Sequence, residues 1–397
     1  MFAVQWIRSL LVAALATAVF VVSSASVRAD PEPYEISAIL PLTGGSSFTN
    51  IQIRASMLVL QDIVNKTGGI KGRPLHFTFF DDGGNPATAV SLAAQVVAKH
   101  PAVLMGPTLV STCRATSPIT ANGPVEWCFS PGVPISPNGY MFASLVATHE
   151  NLATTVRYLR DRGLKRLGLL IPTDATGQDG EESIGDALAL PENRGIMSVV
   201  AVAKFNTNDF SVAAQVARIK AASPDAVVAW TTGASLQTVL RGLDEAGLNV
   251  PVVTTPGNMT HAQMTAMEKI MPKAGLYFAA TLVQAHDSLR PGPIRDAQDR
   301  YFRAAREAHV VPEPGGSYAW DPCLIIVQAL RALGPDATAE QIHTYVEGLH
   351  GFAGINGIYD FRDGMQHGLT RNAGVVARWF ADKNDWIAVT RPGGTPL

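Results

Sequence analysis

The residues that could do chemistry in this chain favour binding over catalysis. The 397 residues contain no GxSxG nucleophile turn, no phosphate-binding P-loop and no HExxH zinc motif, which are the signatures of several common enzyme classes. No GxGxxG follows the first predicted strand, and the nine histidines lack the spacing of metal ligands. We therefore expect no catalytic activity, no metal and no cofactor.

Hydroxyl-bearing residues instead occur in short segments that follow predicted strands. Thr108 and Ser111 precede a predicted helix, and Thr231 and Thr232 follow the apolar run that ends at Trp230. Hydroxyls and free backbone N–H groups at a helix start suit a carboxylate. Trp230 could stack on a flat ligand, and it could equally be a core residue at a strand end. These segments predict a small-molecule site.

Alternating strand and helix patterns must position these segments. Strand patterns such as 75–80 alternate with amphipathic helix patterns such as 51–66 and 180–190, and a second series begins near Thr148. Such alternation indicates parallel sheets with helices on both faces. We therefore predict an α/β protein with two doubly wound parallel-sheet lobes. In these sheets ligands bind beyond the carboxyl ends of the strands.

Composition supports two folded lobes and excludes several other classes. Hydrophobic residues make up 47% of the chain and charged residues 16%, which is enough apolar material for sizeable cores. The formal net charge of −2 argues against nucleic acid as a partner, because binding to phosphates requires a basic surface.

The first 29 residues have the pattern of a cleavable secretory signal peptide. Arg8 precedes an uncharged apolar run over 10–22, and the small-residue site 27–29 places cleavage after Ala29. The apolar run is shorter than the ~18–20 residues that span a bilayer. Since no cysteine lies at the cut, we expect a soluble periplasmic protein.

Export to an oxidising compartment allows cysteines to pair. Cys113 and Cys128 are 15 residues apart, and we predict a disulfide between them. Cys323 lies in an apolar helical run, where we expect a buried free thiol.

Several segments, in this order, resemble the type I periplasmic ligand-binding proteins, and among them the leucine/isoleucine/valine-binding proteins of ABC importers. They are 39–44 (ILPLTG), 68–75 (GGIKGRPL), 81–86 (DDGGNP), 106–107 (GP), 130–131 (SP), 174–178 (DATGQ), 223–227 (SPDAV) and 357–361 (GIYDF). The resemblance covers nearly the whole mature chain, and it is the order and spacing of the motifs that make it specific.

The resemblance implies two lobes joined by three hinge strands near 143–148, 279–284 and 354–359. Lobe 1 would comprise 34–146 plus 283–356, and lobe 2 would comprise 147–282 plus 357–397. It also implies a monomeric substrate-binding protein that closes around a small ligand and delivers it to an ABC transporter permease in the inner membrane. A ligand-sensing receptor module of the same fold is the alternative, and an exported α/β enzyme is a more distant one.

The same resemblance, together with the strand-end segments, selects the ligand-binding candidates. Either Phe48 or Thr49 matches the family's aromatic position, and Tyr318 with Trp320 would form an aromatic wall. The full set of candidates is Phe48, Thr49, Thr108, Ser111, Gly132, Val133, Thr176, Trp230, Thr231, Thr232, Asn258 and Tyr318.

Three departures from the family pattern bear on the ligand. Pro134 stands where a threonine would hold the ligand carboxylate, and Thr176 replaces a tyrosine. The segment 255–259 contains no acid, although amino-acid binders commonly place a glutamate there for the ligand ammonium. Asp321 is the one acid considered as a substitute. A small, aromatic carboxylate is therefore as well supported as a branched-chain amino acid.

Overall fold

The computed structural model describes residues 31–133 and 135–397. The predicted signal peptide 1–29 and Pro134 lie outside the described residues. All contacts discussed below lie within Pro33–Leu397, which forms one unit.

A five-stranded, fully parallel sheet forms the first lobe, in the strand order β2-β1-β3-β4-β5. Its strands are β1 (Tyr34–Leu40), β2 (Leu75–Asp81), β3 (Val103–Met105), β4 (Val125–Cys128) and β5 (Met141–Ala143). The helices between them are α1 (Ser47–Lys66), α2 (Pro86–Val97) and α3 (Val110–Thr116).

A seven-stranded sheet forms the second lobe, in the order β14-β13-β10-β9-β8-β6-β7. Its strands are β6 (Arg166–Pro172), β7 (Ser198–Phe205), β8 (Ala226–Ala229), β9 (Val252–Thr254), β10 (Leu276–Thr281), β13 (Gly374–Phe380) and β14 (Asp385–Ala388). The helices are α4 (Thr148–Asp161), α5 (Ala175–Ala189), α6 (Ala213–Ala221), α7 (Ala234–Glu245) and α8 (His261–Met267). β6 to β10 are parallel, and the last two strands are antiparallel.

The remaining elements return to the first lobe. They are α9 (Pro293–Glu307), α10 (Ser317–Leu333), α11 (Ala339–Glu347), β11 (His350–Ala353) and β12 (Ile358–Asp360). α10 packs on α1, α11 packs on β4, and β11 and β12 form a two-stranded hairpin. The chain therefore passes between the lobes after β5, after β10 and before β13. The predicted α/β class with two lobes is confirmed.

Local sequence signals explain where two of the helices begin. The Asn85 side chain accepts hydrogen bonds from the backbone N–H groups of Ala87 and Thr88, and Pro86 is the first helical residue of α2, where the missing N–H of proline costs no hydrogen bond. Asp174 caps α5 in the same way. α5 therefore begins at Ala175, five residues before the predicted start, and this shift alters the composition of the candidate site.

A disulfide joins α3 to β4 through Cys113 and Cys128, the pair that the sequence analysis selects. Cys323 lies buried in α10 as a free thiol. Among the described residues, none of the helices is both long and apolar enough to cross a membrane.

We expect removal of the Cys113–Cys128 bridge to destabilise the protein by about 3 kcal/mol, because it closes a loop of about 15 residues and restricts the unfolded chain. Urea unfolding with and without a thiol reductant measures this difference. Cys323→Ala is the control, since it should respond to the reductant as the wild type does. A double variant, Cys113→Ser with Cys128→Ser, that unfolds at the wild-type urea concentration would contradict the expectation.

Candidate functional site

A cavity lies between the two lobes, where the carboxyl ends of their parallel strands face each other. The first lobe contributes Thr49, Asn50, Thr108, Leu109, Val110, Phe129, Ser130, Pro131, Gly132 and Tyr318. The second contributes Thr148, Thr176, Asp179, Trp230, Thr232, Thr255, Pro256 and Gly257. Such an edge, where loops and helix starts converge, is the usual ligand position in sheets of this kind.

The structure brings seven of the twelve predicted ligand-binding residues to this cavity. They are Thr49, Thr108, Gly132, Thr176, Trp230, Thr232 and Tyr318. The other five lie outside its lining. They are Phe48, Ser111, Val133, Thr231 and Asn258.

Helix direction separates Phe48 from Thr49. Both lie in the first turn of α1, but only Thr49 points into the cleft, where its hydroxyl donates to the carbonyl of Gly257 in the other lobe. Phe48 is half-buried away from the cavity. Successive helical residues point about 100° apart, so a one-residue ambiguity in a loop alignment decides which side chain reaches a site.

Asn258 and Thr231 form a buried support for the cleft loops. The Asn258 amide donates to the Thr231 carbonyl at 2.7 Å, and its Oδ1 accepts from the Gly233 N–H at 2.8 Å. Both side chains are at most 1% exposed. Their polar groups thus fix the loops after β8 and β9, and they are not directed at the ligand space.

Val133 and Ser111 lie on the other side of the loop and helix that border the cavity. Val133 packs beside the disulfide and borders a separate side cavity. Ser111 is half-buried on α3. The side cavity shares Pro131, Gly132, Thr148 and Asp179 with the cleft.

Part of the first-lobe wall already has its hydrogen bonds satisfied within the protein. The Thr108 hydroxyl donates to Asn50 Oδ1 at 2.7 Å, and the Asn50 amide donates to the Ser46 carbonyl at 2.8 Å. Ser130 Oγ accepts from the Gly132 N–H at 3.3 Å. These bonds orient the wall, so Thr108 acts as an acceptor towards a further partner.

Tyr318 carries an unused hydroxyl in the first-lobe wall of the cavity. Its ring lines the cavity and is 5% exposed, and its hydroxyl has no hydrogen-bond partner among the described residues. Burial raises the pKa of Tyr318 above its usual value, so this hydroxyl is a neutral donor at any physiological pH. Trp320, its predicted companion, packs against Tyr301 instead, with ring centroids 4.8 Å apart.

Asp179 is the functional residue that the sequence analysis missed. It lines the cavity from the second turn of α5, three residues after Thr176, and spacing of three places both on one helix face. Burial raises its pKa to about 7, although the Thr148 hydroxyl and the Arg114 guanidinium lower it. The cavity lining therefore contains an acid, although segment 255–259 contributes none. The sequence pattern predicts a helix that begins at Gly180, and Asp179 lies before it, so the pattern does not place Asp179 on a helix face. The Asp174 cap is the sequence signal that would have moved the helix start to Ala175.

Asp321, the acid considered as a substitute, does not reach the cavity. It lies in the second turn of α10 and is fully buried, and it accepts the backbone N–H groups of Ile355 and Asn356 at 2.9 and 3.0 Å. The Tyr359 hydroxyl donates to it at 3.0 Å. Asp321 therefore holds the turn between β11 and β12, and it is not a ligand acceptor.

The lobes touch directly at two further contacts. The N–H of Ala234 at the start of α7 donates to the Gly45 carbonyl in the first lobe at 3.0 Å. His261 Nδ1 of the second lobe lies 2.9 Å from Glu313 Oε2 of the first. These contacts must break for the lobes to separate.

The His261–Glu313 pair predicts a pH-dependent contact between the lobes. The hydrogen bond with Glu313 raises the pKa of His261, with Asp385 adding to the effect and burial opposing it. A raised folded pKa means that the stabilisation is complete below the unfolded value of about 6.5 and is lost as pH rises through the folded value.

We therefore expect His261→Gln to lower the melting temperature more at pH 6 than at pH 8.5. Differential scanning calorimetry of the ligand-free protein at the two pH values measures the difference. His76→Gln, on the exposed face of β2, is the matched control and should show no such pH dependence. Equal losses for His261→Gln at both pH values would show that the ion pair does not form in solution.

Comparisons with known proteins agree with this architecture. A family model described as "Periplasmic binding protein" matches residues 33–384. The Leu/Ile/Val-binding protein homolog 3 of Brucella melitensis is 39% identical over 62 residues, which are 16% of this chain and only 17% of that relative.

Solved structures share the whole fold at low identity. An extracellular ligand-binding receptor from Rhodopseudomonas palustris HaA2 superposes with a TM-score of 0.78 at 19% identity, covering 89% of this chain and 99% of that one. An ABC transporter solute-binding protein from R. palustris, solved with benzoate, has a TM-score of 0.76 at 15% identity, covering 92% and 97%. Because the family match spans most of the chain and the fold agrees with it, this protein belongs to the periplasmic binding protein family.

Proposed function

We propose that this protein is the substrate-binding component of an ABC importer. It is exported to the periplasm through residues 1–29, captures a small ligand between its lobes as a monomer, and delivers it to a permease in the inner membrane. The observation that carries the proposal is the cavity between the lobes, which both lobes line at the carboxyl ends of their strands.

Closure of the lobes is the physical basis of this function. Three chain crossings join the lobes, and rotation confined to these segments requires little internal rearrangement of either lobe. A ligand that touches both walls binds the closed form better and shifts the population towards it. Closure then presents a different surface to the permease, which converts ligand binding into a signal for transport.

The lining supports two ligand classes, a branched-chain amino acid and a small aromatic carboxylate. Trp230, Phe129 and Tyr318 provide flat apolar surface, and the hydroxyls of Thr176 and Thr232 provide hydrogen bonds. The similar proteins include both a Leu/Ile/Val-binding protein homologue and a protein solved with benzoate, so neither class is preferred on that ground.

Calorimetric titration of the purified mature protein with leucine, isoleucine, valine and benzoate tests the proposal. We expect at least one of these compounds to bind in the micromolar range or tighter, and small-angle scattering to show a smaller radius of gyration with that compound bound. Cells that lack the gene should take up the labelled compound more slowly. No binding by any of them, together with no small molecule retained through native purification, would refute the proposal.

A further inference from the structure

Resting on the proposed function, we infer that Asp179 accepts a hydrogen bond from a primary amine of the ligand, so that the cleft selects amine-bearing ligands over carboxylates of the same shape. The acid comes from the helix after β6, and not from the loop after β9, where the sequence comparison looks for one. Of the two ligand classes, the amino acids would then be preferred over the carboxylates without an amine.

One carboxylate oxygen of Asp179 is an acceptor without a donor. Asp179 Oδ2 is buried, and among the described residues it has no hydrogen-bond partner. Arg114 lowers the pKa of Asp179 through its charge, without an ion-pair contact among the described residues. A buried carboxylate oxygen without a donor is unfavourable. A ligand ammonium in the cleft would supply the missing donor and the opposite charge together.

The wall of the cleft leaves room for the Asp179 carboxylate. Gly132, in the loop after β4, lies directly beneath Asp179, and a Cβ at residue 132 would overlap Asp179 Oδ2. The carboxylate thus reaches across the cleft to the first-lobe wall. It borders the cavity beside Thr176, which lies on the same face of α5.

Tyr318, on the opposite lobe, has a complementary donor. Tyr318 lines the same cavity, and its hydroxyl is buried and has no partner among the described residues. A ligand with an amine for Asp179 and an acceptor for Tyr318 satisfies both groups. A carboxylate without an amine would satisfy Tyr318 alone and would bring a second negative charge into the space that Asp179 borders, where low polarity strengthens the repulsion.

Matched pairs of compounds test the inference by calorimetric titration. Leucine is compared with 4-methylpentanoate, and phenylalanine with 3-phenylpropanoate; each pair differs by the amine alone. In the wild type we expect the amine-bearing member to bind about a hundredfold more tightly. Asp179→Asn should remove most of that preference. Asp244→Asn, an exposed acid of α7 in the same lobe that lines neither cavity, makes the same charge change away from the cleft and should leave the preference intact.

The pH dependence of binding supplies a readout that a structural role would not change. Burial raises the pKa of Asp179 to about 7, so affinity for the amine-bearing members should rise between pH 5.5 and pH 8 as the free carboxyl ionises. Other charged groups face this region. The contribution of Asp179 is therefore the change in affinity with pH in the wild type minus the same change in Asp179→Asn. These groups are Arg114, His149, Glu150, Glu182, Asp186 and His367.

Each outcome has a definite meaning. An amine preference in the wild type that Asp179→Asn abolishes supports the inference. Equal or tighter binding of the deaminated members, or an unchanged preference in Asp179→Asn, overturns it while the proposed function stands. Failure of all four compounds, and of benzoate, to bind counts against both.

Discussion

Replacing Asp321 by alanine is expected to lower the free energy of unfolding by about 4 kcal/mol. Asp321 is fully buried and accepts four hydrogen bonds, two from backbone N–H groups of the β11–β12 turn and two from side chains. Alanine leaves all four donors without a partner in a space that water does not reach. Equilibrium urea unfolding measures the loss.

The variant Asp321→Asn separates the stability lost with the acceptor oxygens from the stability lost with the charge. It keeps one acceptor oxygen, so we expect about half of the alanine loss. Asp382→Ala, in an exposed turn, should change stability by less than about 0.5 kcal/mol. A loss below about 1 kcal/mol for Asp321→Ala would mean that the turn is not held by this carboxylate in solution.

Replacing Trp230 by alanine should both destabilise the second lobe and abolish ligand binding. The ring is 2% exposed, belongs to the second-lobe core and also lines the cleft. It packs closely over Gly180, where a Cβ would overlap it. Loss of a buried tryptophan typically costs about 3–5 kcal/mol. The cleft loses its largest flat surface at the same time.

Trp127→Ala is the matched control for the binding effect. Trp127 is fully buried in the first lobe, stacked on Phe142 with centroids 5.5 Å apart, and it does not line the cleft. We expect a similar loss of stability with ligand affinity retained, measured by unfolding and by titration at a temperature where each variant is folded. Retained affinity in Trp230→Ala would show that its role is confined to the core.

The sequence alone predicts elements that depend on neighbouring residues. The α2 start at Pro86 follows from the Asn85 cap, and the strand 75–80 is found at Leu75–Asp81. The fold class follows from the regular alternation of these short-range patterns, since parallel strands need helical crossovers. The candidate residues at strand ends follow in turn, because those ends meet at one edge of a sheet.

Tertiary structure decided which side chains face the ligand space. Asp179 and Gly132 are far apart in the chain and meet only because the chain passes between the lobes, and no local pattern encodes that contact. The direction of Thr49, the burial of Asn258 and the use of Asp321 within the first lobe likewise depend on packing between distant segments. The sequence by itself therefore determined the class of protein and the edge where its ligand binds. The acid in the cavity lining depended on a helix start and on a contact between the lobes.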